Sequence, residues 1–268
     1  MQTKAKGKQK QTLVYKPFLL GNWGSVLAAK RGFKLLAYQL VFVFVYLFIG
    51  QALLFDQPLL RVLINLLIVL GFGGLLYNDG AKQGLDDVAY AEIALQRKQN
   101  GKSIDKPERD RCFHPAKGFF SVLAGTLPLI LFCLIFALFA KVQVYRLGGL
   151  PDWVQSYERR ADVGLALSYY HQGSAFGLLD GMRVAVRLLI FPYVNMVGAD
   201  SNNALLWLER LSPLLVCIIP TGYALGYLQG KRLRAGVHGA IVSDRARRVQ
   251  KERRERRRRQ RQEPNNLV

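Results

Sequence analysis

Four long apolar runs divide the chain, and the polar stretches between them alternate between strongly basic and nearly balanced. The first run, Leu35 to Phe55, carries no charge in twenty-one residues. At about 1.5 Å of rise per residue it covers roughly 30 Å, the depth of a hydrocarbon core. The second, Leu59 to Tyr77, follows after only Asp56, Gln57 and Pro58, so the two must form an antiparallel hairpin, with Arg61 near enough to an end to snorkel. Phe119 to Ala140 is uncharged over twenty-two residues, and Leu211 to Leu228 stops before Lys231 and Arg232. The pattern predicts an all-α integral membrane protein with four transmembrane helices.

Between the third and fourth runs lies a more polar segment. Pro151 and Asp152 open an aromatic-rich stretch through Trp153, Tyr157, Tyr169 and Tyr170, expected to be a helix lying at the membrane interface. Ala175 to Phe191 is then apolar except for Asp180, Arg183 and Arg187, which fall within about 60° of one another at 100° per residue. So narrow a polar stripe predicts a re-entrant or deeply seated amphipathic helix, turned back near Pro192 or Gly198. As a fifth span it would carry the basic tail to the opposite side.

Charge sets the expected orientation. Residues 1 to 34 hold eight Lys or Arg and no acid, the 78–117 loop eight, and 231–268 fourteen against four acids. The 142–203 segment holds five of each sign. Basic flanks stay in the cytoplasm, so both termini are expected inside, in a bacterial-type plasma membrane. The organisation expected is a basic segment at 1–34, a transmembrane hairpin at 35–77, a cytoplasmic loop with a short helix at 78–117, span three at 118–141, an extracytoplasmic segment at 142–203, span four at 204–230 and a basic tail at 231–268. No soluble stretch is long enough for a large core of its own, which predicts one membrane domain with appendages. The excess of 38 basic over 18 acidic residues reflects this topology first.

Three groups of residues are candidates for function. Asp180, Arg183 and Arg187 would line a cleft or hold an anionic ligand, against the simpler reading of an internal ion pair plus a snorkelling arginine. Gly222, Gly226 and Gly230 present one small-residue face of the fourth span, expected to serve packing within the bundle ahead of dimerisation. Arg253, Arg254, Arg256, Arg257, Arg258 and Arg259 lie in a tail expected to be partly helical and drawn to anionic lipids at the cytoplasmic face, ahead of contact with a ribosome or RNA. A membrane-protein partner is a further expectation. Gln39, Gln51, Asn65 and Thr126 are expected to make interhelical hydrogen bonds.

The chemistry-bearing motifs are weak. Cys112 and His114 lack two further metal ligands at suitable spacing, and Cys112, Cys133 and Cys217 are expected to be free thiols. Gly101-Lys102-Ser103 lacks the first glycine of a phosphate loop and is expected to be a turn. Asp79-Gly80-Ala81-Lys82 resembles the opening of the CDP-alcohol phosphatidyltransferase signature, but Gln83 and Gly84 replace its Ala-Arg and the later paired aspartates are not at the required spacing. Asp86, Asp87 and Glu92 are expected on the solvated face of a helix from Leu85 to Arg97. No catalytic residue, metal or cofactor is assigned. The expectation is a non-enzymatic accessory, scaffold or assembly component, with a small transport or insertion protein and a lipid-modifying enzyme as alternatives.

Overall fold

A computed structural model describes residues 13–52, 55, 57–142, 157, 160, 162–163, 177–197 and 201–262. The described elements are α1 (Val26–Ala52), α2 (Pro58–Gln99), α3 (Lys106–Arg111), α4 (Pro115–Phe139), α5 (Leu178–Leu189), α6 (Phe191–Val197) and α7 (Asn202–Gln262). Four of them, α1, α2, α4 and α7, are long and apolar enough to cross a membrane. Their apolar stretches are mostly turned outward: Phe44, Phe48, Leu67, Leu70, Leu131 and Leu138 are all exposed. Rows of such side chains on long helices call for a lipid solvent. The expected interfacial helix from Pro151 lies outside the described residues.

Helix ends follow local chemistry. Ser25 Oγ accepts from the Ala28 amide 3.2 Å away and caps α1. Pro58 and Pro115 open α2 and α4, where a missing amide proton costs nothing. After α2, Gly101 takes φ of 81°, and the Gly101 and Lys102 amides donate to the Lys98 and Arg97 carbonyls at 3.1 Å each. Residues 101–103 thus close a helix, a left-handed stop that glycine reaches without strain.

The helices outrun the apolar runs that predict them. α2 continues unbroken through Leu85 to Arg97, which is therefore no separate helix, and α7 is a single helix of 61 residues that includes most of the basic tail. The chain divides into two compact units. Unit 1 comprises residues 1–30, 75–121 and 222–268, and unit 2 comprises 31–74 and 122–221. No single segment of unit 1 could build a core, but three together do. Val88, Ala91, Ala94, Cys112, Phe113 and Tyr227 form its buried cluster.

In unit 1, α2 and α7 meet backbone to backbone. A Cβ on Gly226 would lie 1.9 Å from the Tyr77 carbonyl oxygen, and one on Gly230 would lie 2.2 Å from the Gly84 carbonyl carbon. From the other side, a Cβ on Gly80 or Gly84 would meet the Tyr223 or Tyr227 carbonyl oxygen at 2.1 or 2.3 Å. The chain before α1 is laid against this pair. Val14 N donates to Ala235 O, Leu19 N to Ala91 O and Gly21 N to Phe113 O, at 3.0 to 3.1 Å.

In unit 2 the core is Cys133, Phe136, Ala140, Val186, Ile190 and Val216. α5 stops at Ile190, and α6 carries on through Pro192 to Val197, so the chain remains helical past the first expected turning point. Gly198 lies outside the described residues.

The glycine seam predicts a sharp contrast. Gly226→Ala should lower stability by about 1–3 kcal/mol through overpacking, whereas Gly71→Ala and Gly73→Ala, with nothing within 4 Å of the new carbon, should be silent. Thermal unfolding of the purified variants in one detergent checks this; equal midpoints for all three would mean that α2 and α7 are not in contact.

Candidate functional site

The polar stripe of α5 meets a carboxylate on α7. Glu209 is 2% exposed, and its Oε1 lies 2.7 Å from Arg187, whose Nε donates to it, and 3.3 Å from Arg183 Nε. Arg183 also donates from Nη2 to the Lys141 carbonyl at 2.7 Å and lies over the Phe136 ring at 5.8 Å. Asp180 is 4.0 Å from Arg183. Its other carboxylate oxygen accepts from the Gly177 amide at 3.1 Å, one half of a capping box at the start of α5. Two guanidiniums thus face two carboxylates, and much of their bonding capacity is used inside the protein.

Sequence reasoning missed Glu209. It lies just before the fourth apolar run, Leu211 to Leu228, and looks like a border charge. Its signal is isolation, for it is the sole acid between Asp200 and Asp244. An acid alone on a mostly apolar helix needs a cation, and Arg183 and Arg187 were already conspicuous.

A second polar set in unit 2 ties the hairpin to α6. Tyr46 OH donates to Asn65 Oδ1, Asn195 Nδ2 donates to Tyr46 OH at 2.9 Å, and Asn65 Nδ2 donates to the Arg61 carbonyl one turn earlier at 2.8 Å. Arg61 itself reaches the Val197 carbonyl at 3.4 Å. Gln39 donates from α1 to the Val216 carbonyl on α7 at 3.0 Å, while Thr126 donates to the Val122 carbonyl of its own helix at 2.8 Å and also hydrogen-bonds to Cys217 on α7. Gln51 has its side chain outside the described residues. Gln39, Tyr46 and Tyr193 share an otherwise apolar cavity of about 40 Å³ with Phe42, Phe72 and Val216. That is room for a few water molecules.

Unit 1 holds two buried ionic groups where the sequence predicts a solvated helix face. Asp86 is exposed, but Asp87 and Glu92 are buried. The expectation fails because α7 covers that face of α2 and brings donors with it. Lys117 is 0% exposed, and its ammonium donates to Asp87 Oδ2 at 3.1 Å and to the Asp110 and Cys112 carbonyls at 2.9 and 2.6 Å. Tyr227 OH donates to the same Asp87 oxygen at 2.6 Å. One turn and a half along α2, Arg234 donates through Nε and Nη2 to Glu92 Oε2 at 3.0 and 2.9 Å, and His238 Nε2 lies 2.7 Å from Oε1. Burial pushes the Glu92 carboxyl up, but the hydrogen bonds and charges of Arg234 and His238 outweigh it and hold the group below its ordinary value of 4.5. Burial pushes the Cys112 thiol up, which lowers its thiolate fraction and its reactivity. His114 Nδ1, close in sequence, accepts from the Ala116 amide at 3.2 Å.

The remaining candidates separate. Gly226 and Gly230 lie in the α2–α7 seam, and Gly222 lies in the same unit. Arg253, Arg254, Arg256, Arg257, Arg258 and Arg259 are exposed around the whole circumference of α7, where Lys251 also lies 3.9 Å from Glu255.

Two expectations follow. Glu209→Gln should cost about 3 kcal/mol by leaving two guanidiniums without their counter-charge. Adding Arg183→Gln and Arg187→Gln should recover part of that loss, and additive effects in thermal unfolding would show that the groups do not interact. Because Glu92 has a lower proton affinity folded than unfolded, its contribution is present above pH 4.5 and is lost as pH falls through its depressed folded value. Acid unfolding profiles should therefore be flatter below that pH in Glu92→Gln, and an unchanged slope would exclude Glu92 as a source.

No family model, curated protein or solved structure matches this chain.

Proposed function

We propose that the chain is a non-enzymatic multi-spanning membrane protein, an accessory, scaffold or assembly component with both termini on the cytoplasmic side of the plasma membrane. The observation that carries this reading is the closure of Arg183 and Arg187 onto Glu209. The one conspicuous charged stripe on a deeply apolar segment is satisfied by the protein's own carboxylate, which is what a structural lock requires and what a path for an anion would avoid. The buried Lys117 to Asp87 pair has the same character. Orientation rests on the basic flanks, and the exposed arginines of α7 supply a cationic arm for the leaflet or for a partner beside it.

A second reading, a small transport protein, draws on the partial exposure of the Arg187 and Asp180 side chains, 22% and 41%. An anion entering there would compete with Glu209 for the guanidiniums.

Purification from native membranes in mild detergent is expected to retain a stoichiometric membrane-protein partner. A lone protein whose proteoliposomes pass a small anion, with that flux lost in Arg187→Gln, would establish transport instead. Reporter fusions at the two termini should both be active only in the cytoplasm, and periplasmic activity at either end would overturn the orientation.

A further inference from the structure

Unit 1 carries an open groove of about 610 Å³ lined by Tyr15, Lys16, Pro17, Phe18, Leu20, Phe113, Pro115, Leu228 and Lys231. Its composition is divided: seven apolar or aromatic walls and two ammonium groups, with no acid among them. The Lys231 ammonium lies over the Phe18 and Tyr15 rings at 5.6 and 5.9 Å, which fixes the cation at the groove. Among the described residues neither Lys16 nor Lys231 has a carboxylate within ion-pair distance, and both are exposed. This sets them apart from Lys117, Arg183, Arg187 and Arg234, whose charges are met by Asp87, Glu209 and Glu92.

Position narrows the occupant. Leu228 is the last residue of the apolar run in α7, Lys231 follows it by three residues, and Pro115 begins α4 four residues before its own apolar run. The groove thus adjoins the points where two membrane-spanning stretches begin or end, the depth at which lipid headgroups lie. Tyr15 and Leu20 stand exposed along it, and Trp23 lies just beyond. Side chains of this kind are at home between phosphate and acyl chain. A nucleotide or sugar would call for base-edge or hydroxyl partners, and apolar walls offer none.

We propose that this groove is a binding site for one anionic phospholipid, with Lys16 and Lys231 on the phosphate and the Tyr15, Phe18 and Phe113 side chains against the glycerol and upper acyl carbons. The site is distinct from the diffuse attraction of the α7 arginines and depends only on residence in a membrane, not on the scaffold reading.

Native mass spectrometry of the full chain, titrated with phosphatidylglycerol in a neutral detergent, tests it. One lipid should bind saturably, and Lys16→Gln/Lys231→Gln should weaken that binding roughly tenfold or more, each basic group contributing to the phosphate contact. Lys16→Arg/Lys231→Arg should retain it. Lys98→Gln/Lys102→Gln removes the same charge from exposed positions at the end of α2 and should leave it unchanged. Equal loss in the two Gln pairs would reduce the effect to net charge, and no loss in the first pair would place the lipid elsewhere. Equal affinity for phosphatidylcholine, or displacement of the lipid by millimolar inorganic phosphate, would likewise overturn an anionic-lipid site.

Discussion

The contact on which unit 1 depends is the approach of two backbones. Gly80 and Gly84 on α2 and Gly226 and Gly230 on α7 leave no room for a Cβ between them. Only that approach lets short polar groups span the gap. Tyr227 reaches Asp87, and Arg234 and His238 reach Glu92, at distances that a further ångström or two of separation would turn into unpaired buried charges. In lipid, helices gain little from burying apolar side chains against each other, because acyl chains are equally apolar. Small residues therefore supply contact, and polar pairs then fix which residues face each other.

The same reasoning orders unit 2, with charge in place of glycine. Arg183 and Arg187 are spaced four apart, so both lie on one face of α5, and Glu209 provides a single point to which both converge. A four-residue slip of α5 would move one arginine off the carboxylate into apolar surroundings. Tyr46, Asn65 and Asn195 add a second point, joining α1, α2 and α6.

Much of the architecture was legible in the apolar runs, because length and absence of charge decide whether a helix can cross a membrane. Four such helices are present where four runs predict them. Their continuation was not. Nothing in a hydropathy pattern reveals that α2 persists to Gln99, since the residues after Tyr77 are polar and yet contain no helix breaker besides glycines that serve packing. The burial of Asp87 and Glu92 was hidden for a related reason. A charged helix face looks solvated until the covering helix is known, and α7 lies some 140 residues away in sequence. Glu209 was overlooked because attention to charges inside apolar runs excludes a charge just before one. A lone acid in the 42 residues from Asn202 to Ser243 was nevertheless a detectable sign.

Ion pairs of this kind contribute little net stability. Removing two charges from water is costly, and matched apolar side chains of similar volume commonly serve as well or better. Their presence at Glu209, Asp87 and Glu92 is thus better explained by specificity. An apolar helix in lipid can rotate or slide against its neighbour with little change in buried area, but it cannot do so while a carboxylate must keep its guanidinium or ammonium. The ionic groups exclude alternative registers, and the glycine seam sets the distance at which the chosen register can close. A protein held in this way keeps one arrangement of its helices within each unit.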